Sequence, residues 1–261
     1  MCYNWIYPKY CKCSYCEYVQ NGDEMAKVKK ESPLRLSIIQ AATELFFEKG
    51  FSKTTAAAVC ERAKVGTGNL TSYFPTKEHI LDVLVKMMIG FQWREMENAT
   101  DEGKSSLLAY CLELTTMVAI SEESEQMRDF YLSTYSHPMT LDNIRVNDVK
   151  KIREVFGEYC GGWSDEQFFE AECIVSGIEY ATLMTTEHST PLPMRLEGAL
   201  NAIMLLFGVP EELRKKKITK VLAMDYRAIG EKLLENFKEY VKEENDRAID
   251  QMLASYNLKR S

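Results

Sequence analysis

Thr67, Asn69, Thr71 and Ser72 fall within six consecutive positions, and all four carry small hydrogen-bonding side chains. At helical spacing they face outward from a short helix whose inward positions are Leu70 and Phe74. Such groups can reach base edges in a nucleic-acid groove, and an asparagine amide suits adenine. Tyr73 and Lys77 follow, where a hydroxyl and a cation beside a helix N-terminus can hold phosphates. Taken alone, the same face also fits a helix that only meets water.

These side chains need a scaffold, and the flanking residues supply one. Thr54 or Thr55 can cap a first helix, because a hydroxyl accepts from an otherwise orphaned N–H. Both threonines join the candidate DNA contacts. Val59 and Ala63 lie four apart on one face, with Cys60 beside them as a small core residue. A turn falls at Ala63-Lys64-Val65, and a second helix spans about Thr67 to Tyr73. Pro75 ends it by pushing its predecessor out of the helical region, and Thr76 can cap a third helix. Two short helices about a tight turn form a helix-turn-helix, whose second helix fits the major groove.

Gly50-Phe51, Thr54-Thr55, Val59, Ala63, Val65, Gly68, Leu70, Tyr73-Phe74 and Lys77-Glu78 together resemble the N-terminal domain of TetR-family (tetracycline-repressor-like) transcriptional regulators. The resemblance covers about Leu34 to Leu84. It implies an all-helical homodimer with a divergent C-terminal domain that senses a small ligand. The usual outcome in that family is repression relieved by the ligand. Three positions depart from the pattern: Lys64 replaces a turn glycine, Gly66 a capping serine, and Thr71 a common aromatic. A positive φ at Lys64 would cost about 1 kcal/mol.

Charge is divided along the chain. The net charge is −7, yet residues 25–80 hold nine Lys/Arg against five Glu. Residues 81–261 carry −10, so a basic head sits on an acidic body. No apolar run is long enough for a membrane span, and Met1 to Val19 lacks the apolar centre of a signal peptide. The expectation is a cytoplasmic protein with no membrane partner.

Residues 1–24 form an atypical extension with four of the eight Cys. Cys11-x-Cys13-x-x-Cys16, with Cys2, could offer thiolates to zinc, but the spacing lacks paired knuckles and no His lies near. A mis-assigned start explains the segment better. Met25 opens a normal N-terminus, and Gly22-Asp23-Glu24 can be encoded with a GGAG ribosome-binding element. Lys27, Lys29 and Lys30 form a basic arm suited to phosphates or to water.

The domains expected are a helix-turn-helix head at 32–80, a regulatory and dimerisation body at 81–242, and a frayed tail at 243–261. Ser32-Pro33 opens the first helix and Gly50 ends it. The helix from Lys77 to about Asn98 is long enough to join head and body. Further helices follow from Ser105 onward, with breaks at Pro138, Gly161-Gly162, Pro191, Pro193 and Gly208-x-Pro210. Ser164 and Gln167 form a capping box. Two helices, about 164–187 and 194–207, are candidates for a dimeric four-helix bundle, because Ser176, Gly177, Ala181, Gly198, Ala199 and Ala202 would let helices approach closely.

Tyr110, Met117, Met127, Phe130, Tyr131, Tyr135 and Met184 are the candidate pocket for an apolar or amphipathic effector. Residues of these types at helical spacing also serve as plain core. His79, His137 and His188 have no metal-ligand spacing, and no phosphate loop, dinucleotide fingerprint or nucleophile elbow occurs. No metal, cofactor or enzymatic activity is expected. The reading is an all-α DNA-binding regulator that acts as a homodimer on a near-palindromic operator and is released by a ligand. The alternatives are a ligand-binding or interaction module that has lost operator reading, and a DNA-binding protein without a ligand.

Overall fold

The computed structural model describes residues 32–258, with side-chain detail through Arg247. The 1–24 extension, its cysteines and the basic arm lie outside the described residues. Everything described is helix, turn or loop, in eleven helices. The head contains α1 (Pro33–Lys49), α2 (Ala56–Ala63) and α3 (Thr67–Tyr73), followed by the long α4 (Lys77–Asn98). The body continues with α5 (Leu107–Glu123), α6 (Glu125–Ser136), α7 (Pro138–Phe156), α8 (Asp165–Leu183), α9 (Leu192–Leu206), α10 (Glu211–Leu222) and α11 (Tyr226–Leu258).

Helix α1 begins with Pro33 in its first turn, where a missing N–H costs nothing. Its apolar side, Ile38, Ile39, Ala42, Leu45 and Phe46, is fully buried or nearly so. Val59 from α2, Leu70 from α3, Phe74, Ile80 and Leu81 complete that core, and Phe46 meets Phe51 edge-on at 5.1 Å. Thr55 caps α2 by accepting from the Ala58 N–H at 3.2 Å. The turn after α2 requires a left-handed residue, and Lys64 supplies it at φ 56° and ψ 43°. The Val65 N–H then donates back to the Cys60 carbonyl at 2.9 Å. That closure satisfies a helix-end carbonyl and offsets the strain of a side chain in this region.

Helix α5 is the axis of the body. Every residue from Leu107 to Ser121 is buried. Helices α4, α6, α9, α10 and α11 surround it. Ser164 and Gln167 form the capping box of α8, with both reciprocal hydrogen bonds present. The chain does not leave its helix near Lys242: α11 runs to Leu258 and packs along α1. There Asn245, 6% exposed, donates to Gln40 Oε1 at 2.7 Å.

Candidate nucleic-acid interface and effector cavity

The outward face of α3 is built as its spacing suggests. Leu70 and Phe74 are each 3% exposed and anchor the helix, which leaves Thr67, Asn69, Thr71 and Ser72 in solvent. The Thr71 hydroxyl donates to the carbonyls of Thr67 and Gly68, at 3.1 and 3.2 Å. The Ser72 hydroxyl donates to the Asn69 carbonyl at 2.9 Å. Their protons are thus held within the helix, and they present lone pairs outward, which suit base amino groups. Asn69 can both donate and accept. Gly66 and Gly68 have open space around them, so backbone can approach a surface closely there.

Three of the proposed DNA contacts have structural partners. Thr54 is 2% exposed and donates to the Gly50 carbonyl at 2.7 Å, so it closes the α1–α2 loop from inside. The Lys77 ammonium donates to the carbonyls of Phe51 (2.9 Å) and Thr54 (3.2 Å) and lies 4.2 Å from the centre of the Phe51 ring. In this arrangement it holds a loop. The Tyr73 hydroxyl donates to Ser32 Oγ at 2.9 Å, which ties the end of α3 to the start of α1. Thr55 is exposed at the α2 N-terminus, although its oxygen already serves as the cap.

A second site lies inside the body. A cavity of about 60 Å³ is lined by α4 (Val85, Met88, Ile89, Gln92), α5 (Glu113, Leu114, Met117), α6 (Phe130, Tyr131, Thr134, Tyr135), α7 (Ile144, Asp148, Lys151) and α8 (Glu179). Of the seven residues expected from the sequence, Met117, Phe130, Tyr131 and Tyr135 line it. The other three do not. Tyr110 is 2% exposed and packs edge-on against Phe156 at 5.0 Å. Met127 is core at 3% exposed, whereas Met184 follows the end of α8 and is 47% exposed. Helical spacing gives a face, but not which part of that face meets a void.

The charged lining escaped the sequence reading. Lys151 donates to Glu113 Oε2 at 2.7 Å and lies 3.1 Å from Asp148 Oδ1. The Tyr135 hydroxyl donates to Glu179 Oε2 at 2.9 Å. Burial, reinforced by Asp148, pushes the Glu179 carboxyl up to about 8, against the pull of Lys151 and Tyr135. Burial likewise raises Glu113 and Glu172 above the usual carboxylate range. One signal was available: Glu113 is the only charged residue between Leu107 and Ser121. Its partners come from other helices and have no spacing that marks them.

Cavity and head are joined by direct contacts. Phe130, on the cavity wall, meets Phe47 of α1 edge-on at 5.3 Å. The adjacent Asp129 accepts from the Ser52 N–H at 2.8 Å and the Ser52 hydroxyl at 2.5 Å. Lys53 and Glu125 add an exposed ion pair at 3.4 Å. Gly50 allows this approach. It has φ 88°, and a Cβ there would stand 2.7 Å from Asp129 Oδ2. The α1–α2 loop is thus held by α4 through Lys77 and by α6 through Asp129, and both helices line the cavity.

Residues 38–84 match the family model described as bacterial regulatory proteins, tetR family. The chain carries a TetR-family N-terminal domain. The uncharacterised HTH-type transcriptional regulator YuxN of Bacillus subtilis (strain 168) is 27% identical over 117 residues, 45% of this chain and 40% of that protein. The HTH-type transcriptional regulator HbdR of Aromatoleum sp. (strain CIB) is 42% identical over 55 residues, 21% of this chain and 24% of that protein. The chain therefore spans less than half the length of the curated relatives it matches. Among solved structures, FadR of Thermus thermophilus, a TetR-family transcriptional repressor in complex with lauroyl-CoA, is 18% identical and covers 65% of this chain and 93% of that one, with a TM-score of 0.47. No helix among the described residues is long and apolar enough to cross a membrane.

Proposed function

We propose that this protein is a DNA-binding transcriptional regulator, a repressor, that binds a near-palindromic operator as a homodimer and releases it when a small molecule enters the body. The observation that carries the reading is the exposed hydrogen-bonding face of α3, on a TetR-family head whose α1–α2 loop is gripped by two cavity-lining helices. Asn69, Thr67, Thr71 and Ser72 read bases in a major groove. Thr55 and Tyr73 contact phosphate, Tyr73 after exchanging its bond to Ser32. Lys77 and Thr54 keep the loop in shape. Two heads on a dimer read half-sites roughly 34–36 Å apart.

An effector shifts the head only to the extent that it binds one arrangement better than the other. At about 60 Å³ the cavity is much smaller than an ordinary ligand pocket, so an effector has to enlarge it. Enlargement moves Phe130 against Phe47 and Asp129 against Ser52, and so disturbs the loop that seats α2 and α3.

The test is selection of genomic fragments by the purified protein at moderate salt, with Asn69→Ala plus Ser72→Ala as control. These two side chains are exposed, so the control keeps its fold. The expected outcome is a palindromic site recovered by the wild type and lost by the control. Equal recovery by both proteins, or only salt-sensitive binding without a consensus, overturns operator reading.

A further inference from the structure

Acidic groups outnumber basic ones around the cavity, and the excess indicates what enters it. Glu113, Asp148 and Glu179 line the cavity, each at most 8% exposed, with Lys151 as the facing cation. Glu172 lies one heptad before Glu179 on the same side of α8, is 0% exposed, and leaves both carboxyl oxygens without a hydrogen-bond partner. Tyr131 adds an unpartnered hydroxyl to these acids: it lines the cavity, is 4% exposed, and its hydroxyl has no hydrogen-bond partner. A buried carboxylate without a counter-charge is strongly disfavoured. Lys151 shows how this environment holds an ammonium, between two carboxylates and with its nitrogen 5.4 Å from the centre of the Trp93 ring.

We infer that the effector is an organic ammonium ion, a primary or secondary amine on an aromatic or short aliphatic body, whose N–H groups bond to Glu179 and Tyr131 while its body lies among Met117, Phe130 and Tyr135. The inference rests on the cavity being the effector site. An anionic effector would meet three carboxyls on the wall. A neutral apolar one would leave the Tyr131 hydroxyl and the acids as they are. An ammonium supplies both the charge and the donors.

The inference also fixes a pH dependence. Glu179 is faced by Glu113 and Tyr110 from α5, Tyr135 from α6, and Asp148 and Lys151 from α7, with Glu172 on its own helix. On α9, Arg195 is paired with Glu122 of α5, and Glu197 is exposed. Because burial holds the Glu179 proton to about pH 8, an entering ammonium displaces that proton below this pH. Amine affinity therefore rises with pH, by up to about tenfold per unit, until Glu179 is ionised.

The experiment is calorimetric titration of the full chain, without DNA, from about pH 6 to about pH 8, using phenethylamine, the neutral 2-phenylethanol and the anionic 3-phenylpropanoate. The amine is expected to bind at least about tenfold more tightly than the alcohol at the upper pH, with the slope stated above. The alcohol should show no slope and the anion no binding. Glu179→Gln, checked for helix content, should lose both the amine preference and the slope. Tyr131→Phe should weaken the amine several-fold and keep the slope. Alcohol or anion binding that equals the amine, no amine binding at millimolar concentration, or an unchanged Glu179→Gln variant each overturns the inference. Operator release separates the two readings. An amine that binds but leaves DNA bound overturns the regulatory reading alone, whereas release by the alcohol in preference to the amine overturns this one.

Discussion

The Glu179 carboxyl contributes a pH dependence to the protein's stability. Its folded value is raised from 4.5 to about 8, first by burial and then by the neighbouring Asp148. Between those limits the folded chain keeps a proton that the unfolded chain has released. Stability therefore falls as pH rises through the window, the reverse of an ordinary salt-bridged acid. Glu179→Gln removes this titration, so urea midpoints measured across the window should decline less steeply in the variant. An unchanged slope would assign the proton to Glu113 or Glu172, which burial raises in the same direction. Residues differ in how much of this the chain discloses. Thr67, Asn69, Thr71 and Ser72 were legible because a helix period and two anchors, Leu70 and Phe74, define their face. Glu179, Asp148 and Lys151 were not, because each lies on an otherwise ordinary amphipathic helix and gains meaning only when α7 and α8 meet α5. The loop contacts of Thr54 and Lys77 were not legible for the same reason. A threonine and a lysine beside a helix start look like phosphate ligands until the loop that folds over them is known.

At the scale of elements, local punctuation carried most of the information. Pro33, Gly50, Pro75, Pro138 and the Ser164-x-x-Gln167 box each act within a few residues, and each marks a helix end in the structure. Long-range packing did not announce itself, which is why α11 continues past Lys242 and why α5 is buried on every side. The most consequential of these contacts is the one between α6 and the α1–α2 loop. Asp129→Ala removes the acceptor for both Ser52 groups and spares the cavity wall, since Phe130 is untouched. The contact is solvent-exposed, so the loss should be about 1 kcal/mol of stability. Amide exchange at Ser52 should accelerate, and operator affinity should change although no DNA-facing residue has been altered. Unchanged exchange at Ser52 would show that Lys77 alone holds the loop, and the link from cavity to head would then run through α4.

The molecule as a whole leaves one face without an explanation inside a single chain. Ile174, Met184, Met194 and Leu205 are between 46% and 60% exposed, on or just after α8 and α9. Between them lie Gly177 and Gly198, where an added Cβ would meet nothing within 4 Å. Ala181 and Ala202 are exposed beside them, whereas Ser176 and Ala199, also expected at an interface, turn inward at 2% and 6% exposure. On α9 the outward positions Met194, Gly198, Ala202 and Leu205 recur at helical spacing and form an apolar strip with a flat centre. A strip of that kind suits close approach by another helix pair, and in the proposed homodimer a second copy of this chain would supply one by two-fold symmetry. The acidic body gives no other reason for apolar groups to face water there. Charge placed in the centre of a self-complementary contact is met twice, once from each copy. Ile174→Glu together with Met194→Glu should therefore convert a dimer to a monomer in sedimentation velocity, with helix content retained because both side chains lie outside the core. Operator affinity should fall at least about tenfold, since a monomer loses the second half-site and its effective concentration. A double variant that still sediments as a dimer would move the interface off α8 and α9. A wild-type chain that is monomeric at micromolar concentration, yet selects a palindrome, would mean that the DNA itself assembles the pair.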